Sequence, residues 1–205
     1  RRAQAQATLA DVLQADPANL LALCWQGHLL LADGRPEEAL SSYRAALGLD
    51  SANAWAHLGA ACCHLASGRD KQAAQALAKA RDAAGEDASL RRALGETFLA
   101  LGLAVNARAE LEHALELTPR DAAALCSAGE AYMLVGLDDL ALSAWRQALA
   151  IDQGQWRARF GLVNALGRKA SRALAEGRRD EAVRLWRLAL TYDPADARSL
   201  ASAGS

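Results

Sequence analysis

The chain has 205 residues, 52% of them hydrophobic but only 5% aromatic, and a net charge of −1 at pH 7. This apolar content is ample for a core, and the abundance of alanine favours helices packed closely together. No stretch reaches the ~20 consecutive apolar residues of a membrane span, and the opening RRAQAQATLADVL lacks the apolar core of a secretion signal, so neither membrane insertion nor secretion is expected. The four cysteines, Cys24, Cys62, Cys63 and Cys126, show no paired spacing, which makes reduced thiols and a cytoplasmic location the expectation.

Up to Ala141 the elements recur about every 34 residues along the chain. Residues 1–19 hold a second helix with no first helix before it. Helix pairs follow over 20–51, 52–87, 88–121, 122–154 and 155–196, and 197–205 begins a further helix. In the second helices, Ala5, Ala39, Ala73, Ala107, Ala141 and Ala182 are each followed four residues on by Leu9, Tyr43, Leu77, Leu111, Trp145 and Trp186. Three further on come Val12, Ala46, Ala80, Ala114, Ala148 and Ala189, so small and large residues alternate along one apolar stripe at helical spacing. The first helices carry Gly27, Gly59, Gly95, Gly129 and Gly161. A glycine inside a helix costs ~1 kcal/mol relative to alanine, and close backbone contact with the partner helix is the expected reason for its recurrence. Gly34, Gly68, Gly102, Gly136 and Gly177 are expected to cap the same helices. Since the chain starts and stops inside a repeat, a segment of a longer repeat protein is expected.

The last pair arrives late. Gly161 stands much further from Ala182 than Gly129 does from Ala141. The net delay of about seven residues is close to two turns at 3.6 per turn, so a lengthened first helix near 155–176 would return to the same face; a break at Gly167 is the alternative. This is also where the charge changes sign. Between Gln155 and Tyr192 stand nine basic residues and three acids, a balance of +6 against −7 for the remainder.

These residues resemble the tetratricopeptide repeat, a helix–turn–helix of about 34 residues. The unit over 122–153 is among the closest matches, with Gly129, Tyr132, Gly136, Ala141, Trp145, Ala148 and Leu149. The unit from Asn53 supplies Trp55, Leu58 and Gly59 but has Leu77 where the aromatic would stand. The resemblance implies an all-α, right-handed superhelical solenoid of antiparallel helix pairs whose first helices line a concave peptide-binding groove, and it implies no catalysis. Carried through the register, the groove positions are Leu21, Cys24, His28 and Leu31, then Asn53, Ala56, Ala60, Cys63 and His64, then Arg92, Glu96 and Leu99, then Ala123, Cys126, Glu130 and Met133. This lining is small and apolar, suited to a hydrophobic or amphipathic segment, with polar selectivity left to His28, His64, Arg92, Glu96 and Glu130. Co-chaperone members grip a terminal carboxylate with Lys, Asn and Arg. The matching places here hold Cys24, His28, His57, Arg91 and Arg92, so recognition of a chaperone tail is not expected.

Other chemistry is weaker. Cys24 and His28 lie one turn apart and Cys63 and His64 are neighbours, but sequence neighbours on a helix point in different directions, so no metal site and no cofactor is expected. No oxyanion feature or orienting acid accompanies a nucleophile, and no enzyme is expected. Trp55, Trp145 and Trp186 fall on signature positions and are expected in the core, Trp25 between repeats, and Trp156 partly exposed. A second, basic surface could form from Trp156, Arg157, Arg159, Arg168, Lys169 and Arg172. The leading expectation is therefore a non-catalytic scaffold for a protein or peptide partner. Its competitors are self-assembly into a homo-oligomer through stacked repeat ends and electrostatic binding of an acidic partner through 155–192, with nucleic acid a minority case.

Overall fold

A computed structural model describes residues 2–192. The expected helix over 197–205, with Pro194 and Gly204, lies outside the described residues. Among the described residues the chain is all-α: α1 (Arg2–Ala15), α2 (Leu20–Ala32), α3 (Pro36–Leu49), α4 (Ala54–Ala66), α5 (Asp70–Ala83), α6 (Ala88–Ala100), α7 (Ala104–Leu117), α8 (Ala122–Leu134), α9 (Asp138–Ile151), α10 (Trp156–Ala175) and α11 (Arg179–Tyr192). The even-numbered helices are the first helices of the pairs. The chain divides into two compact units, Arg1–Leu94 and Gly95–Ser205, with the boundary inside α6.

The ends of the helices are written in side chains. Asn19 and Asn53 accept from the amides of Ala22 and Ala56 at 3.0 and 2.9 Å, capping α2 and α4. Asp87 and Asp121 accept from Leu90 and Ala124, both at 3.1 Å, and cap α6 and α8 in the same way. Such a cap satisfies an amide that has no partner within the helix and stabilises it by about 1 kcal/mol. The far ends close on Gly34, Gly68, Gly102, Gly136 and Gly177, all at positive φ between 68° and 80°, where a side chain would be strained.

In the first unit α2 packs on α3 and α4 packs on both α3 and α5. Its core gathers Leu23, Ala39, Leu40, Tyr43, Ala46, Ala56, Ala60 and Cys63. Tyr43 is the keystone. A Cβ on Gly27 would lie 2.8 Å from its ring, and one on Gly59 would lie 2.2 Å from it, so the ring of the second helix is held between two glycine-bearing first helices. The second unit repeats the device: Trp145 lies between Gly129 and Gly161, where a Cβ would come within 2.3 and 2.5 Å of the indole. Trp145 Nε1 also donates to the Cys126 carbonyl at 3.1 Å. The recurrent glycines therefore make room for a large side chain of the second helix, which corrects the expectation of backbone against backbone; at Gly95 the nearest atom is again a side chain, that of Leu111, at 2.5 Å.

The late pair is an extension. α10 runs unbroken for 20 residues and passes through buried Gly167. Its first half packs with the Trp145 core through Ala158, Leu162, Ala165 and Leu166. Its second half supplies Ala170 and Ala173 to a smaller cluster with Ala182 and Trp186 of α11. The roughly seven added residues make about two turns, so both halves present the same face to the second helices.

Candidate functional site

The first helices of the first unit enclose an open concavity. A cavity of about 420 Å³ is lined by Leu20, Leu21, Cys24, Trp25 and His28 of α2, Tyr43 of α3, and Asn53 and Trp55 at the start of α4. Its position follows from the glycines. With no side chain at Gly27 and Gly59, the Tyr43 ring reaches between α2 and α4 and forms part of the cavity wall. Leu21, Trp25 and His28 are spaced at four and three residues and share a face of α2. Trp25 and His28 meet edge to face, with ring centroids 5.7 Å apart. Trp55 closes the other side and donates from Nε1 to Asp87 at 3.2 Å.

Four of the groove residues expected from the sequence, Leu21, Cys24, His28 and Asn53, are thus brought together. Leu21 and His28 are exposed and Cys24 is half-buried, while the Asn53 side chain is engaged in capping α4. Leu31 packs on the core of the first unit. Ala56, Ala60 and Cys63 are buried and offer the solvent almost no surface. Burial pushes the Cys63 thiol up to about 12, which keeps it protonated and inert at neutral pH. His64 is half-buried with an unpartnered Nδ1, and burial, assisted by Arg69 and Arg44, lowers its pKa below the ordinary imidazole value. Arg92, on α6, is half-buried.

The remaining groove residues belong to the second unit. Glu96 accepts from Ser127 Oγ at 3.2 Å. Leu99 and Ala123 are half-buried, and Met133 packs on the Trp145 core. Cys126 is buried, its thiol pushed up to about 11 chiefly by desolvation. Glu130 is bridged in two places by Arg157, at 3.0 and 2.8 Å, so its charge is met from within the chain. The basic surface is diminished in the same way, because Lys169 pairs with Asp139 at 3.0 Å. Arg159 donates to the Gln153 carbonyl at 2.8 Å, and Trp156, Arg168 and Arg172 are exposed.

Two aromatic residues of the cavity were assigned elsewhere by sequence. Trp55 was expected in the core but is 45% exposed, and Trp25, expected between repeats, is 53% exposed. Trp186 is only partly buried, with its Nε1 enclosed and unpartnered. Trp156 is 69% exposed. The spacing of Leu21, Trp25 and His28 carried the signal for Trp25; nothing local did so for Trp55. Among the described residues no group of three or more His, Cys, Asp or Glu side chains is placed to hold a metal, and no helix is long and apolar enough to cross a membrane.

Antiparallel helix pairs whose second-helix aromatics nest against first-helix glycines, with an open cavity on the first helices, define an α-helical repeat scaffold. Tetratricopeptide-repeat family models match residues 30–97 and 1–54. No curated protein sequence matches the chain. The crystal structure of YrrB, described as a tetratricopeptide-repeat protein with an unusual peptide-binding site, is 23% identical, with a TM-score of 0.67 over 96% of this chain and 98% of that one. The Pseudomonas aeruginosa protein PilF is 18% identical, with a TM-score of 0.67 over 100% of this chain and 90% of that one. MamA is 24% identical, with a TM-score of 0.61 over 84% of this chain and 96% of that one. Residues 1–97 belong to the tetratricopeptide-repeat family, and the chain shares the fold of tetratricopeptide-repeat proteins. Its repeats mark it as a protein–protein interaction scaffold, a family and fold that are generally non-catalytic.

Proposed function

We propose that the chain is a non-catalytic scaffold that binds an extended or helical segment of a partner protein on its first-helix face, with the aromatic cavity of the first unit as the anchoring point. The observation that carries this reading is the exposure of Leu21, Trp25, His28 and Trp55 around one apolar concavity, since large apolar side chains left open together are the usual anchor of a peptide site. The peptide-binding site of YrrB gives a precedent for the fold and carries no residue across. The electrostatic alternative through 155–192 draws less support, because Arg157 and Lys169 of its basic surface are paired with Glu130 and Asp139. Self-assembly through stacked ends draws on no observation of comparable kind.

The test is selection of random dodecapeptides on the immobilised protein, followed by affinity measurement against Leu21→Asp and Trp25→Ala. Loss of about 10-fold or more in each variant, at unchanged helicity, is expected for removal of a hot-spot contact. Selected peptides that bind both variants as well as they bind the original protein would place the site elsewhere.

A further inference from the structure

We infer that the cavity between α2 and α4 is selective for a cationic side chain, arginine above all, in the segment that docks there. This rests on the peptide-binding reading and names the chemistry of the residue that enters the cavity. The lining is mostly apolar and aromatic, with His28 and Asn53 as polar members, and its residues include no lysine or arginine. Two carboxylates stand at its edge. Asp87 accepts from the indole of Trp55, itself a wall residue. Asp50 accepts from the Ala52 amide at 3.0 Å and from Asn53 Nδ2 at 3.4 Å, and it lies near enough to Cys24, another wall residue, to disfavour the thiolate. Among the described residues, the donors that meet these two carboxylates are backbone amides, a side-chain amide and an indole, all neutral, so hydrogen bonding leaves negative charge beside the Trp55 indole at Asp87 and beside the wall residue Asn53 at Asp50.

An aromatic face and a nearby carboxylate attract the same kind of ligand. The indole quadrupole draws a cation toward the ring, and tryptophan is the strongest such partner. A guanidinium is planar and weakly hydrated, so it stacks on an indole at little desolvation cost while its methylene stem covers apolar surface such as that of Leu20 and Leu21. An aliphatic or aromatic occupant would use the walls but leave Asp50 and Asp87 unanswered. An acidic occupant would be repelled by them.

The proposal is tested with side-chain probes on the whole chain, by titrating n-butylguanidinium and its neutral counterpart n-butylurea at pH 8. The readout is the indole NH resonances, assigned with Trp25→Phe and Trp55→Phe. The expected result is a saturable shift of the Trp25 and Trp55 signals by n-butylguanidinium, with at least about threefold weaker binding of n-butylurea. Asp50→Asn with Asp87→Asn should bring the guanidinium down to the level of the urea, and asparagine retains the capping role at 87. Asp50→Asn alone, which leaves the Trp55 bond to Asp87 in place, should give part of that loss. Equal binding of the two probes, a preference that survives the double substitution, or unmoved Trp25 and Trp55 signals would each overturn the inference. If the probes bind equally while selected peptides still depend on Leu21, the charge selectivity falls and the docking face stands. If the preference is seen but no selected peptide depends on Leu21, the docking face falls and the selectivity stands.

Discussion

Substitution of Gly59 by alanine isolates the device that positions the cavity. On an exposed helix the change would stabilise by ~1 kcal/mol, because alanine loses less conformational freedom on folding. Here the new Cβ would sit 2.2 Å from Tyr43 Cζ and 2.3 Å from Cε1, over 1 Å inside the ordinary carbon contact distance of about 3.5 Å. The ring has little room to retreat, because a Cβ built on Gly27 would already lie 2.8 Å from it on the α2 side. Overpacking of this kind costs about 1–3 kcal/mol, and so large an overlap belongs at the upper end, leaving a net loss of roughly 2 kcal/mol after the helix gain. For a chain of this size that is about 4–8 °C in melting temperature, read by far-ultraviolet circular dichroism. Gly48→Ala is the matched control: it lies in α3 with nothing within 4 Å of the added carbon, and it should stabilise by up to about 1 kcal/mol. In a Tyr43→Leu background the penalty at 59 should vanish, since the cycle removes the atom that clashes. Stabilisation by Gly59→Ala comparable to that by Gly48→Ala, or an undiminished penalty in the Tyr43→Leu background, would refute the account.

Thiol labelling under native conditions should modify Cys24 and Cys62 first, with Cys63 and Cys126 protected until the chain unfolds, because burial raises both buried thiols to about 12 and about 11; mass spectrometry at timed quenching separates the two pairs. His64 has its folded pKa lowered by burial, so its neutral form is the one the fold accepts. That contribution is present above the unfolded value of about 6.5 and is lost as pH falls through the folded value, and His64→Gln should flatten the decline in denaturation midpoint below pH 6.5. Asn19→Ala removes the acceptor for the Ala22 amide and should cost about 1 kcal/mol in urea denaturation, whereas Asn19→Ser, which keeps a capping oxygen, should cost less.

The repeat was readable because helix pairing forces it. A second helix can approach a first only where one of them is small, so Ala39, Ala46, Ala141 and Ala148 mark the contact stripe directly, and all four are fully buried. The capping glycines were readable for a different reason: a positive φ admits few other residues. The Asx caps at 19, 53, 87 and 121 were equally present, evenly spaced at the repeat interval, but they become meaningful only once the amides they serve are placed. The groove register named a helix face; of its residues Leu21 and His28 are exposed, while Ala56, Ala60, Cys63 and Cys126 are buried. Helical spacing sets the direction of a side chain, while the distance to the next helix sets whether water reaches it.

The sequence alone determined the kind of chain this is, a run of helix pairs with about seven extra residues before Arg179, because small residues, large residues and glycines at fixed separations satisfy packing and backbone constraints that act over a few turns. Tertiary structure decided what those turns leave open. Nothing local distinguishes α10 continuing through Gly167 from a break there, since about two added turns restore the face either way; the helix is continuous where its two halves pack into the Trp145 core and the Trp186 cluster. The pairing of Arg157 with Glu130 and the meeting of Trp25, Tyr43 and Trp55 around one cavity join residues of different helices, so they exist only after the helices have packed.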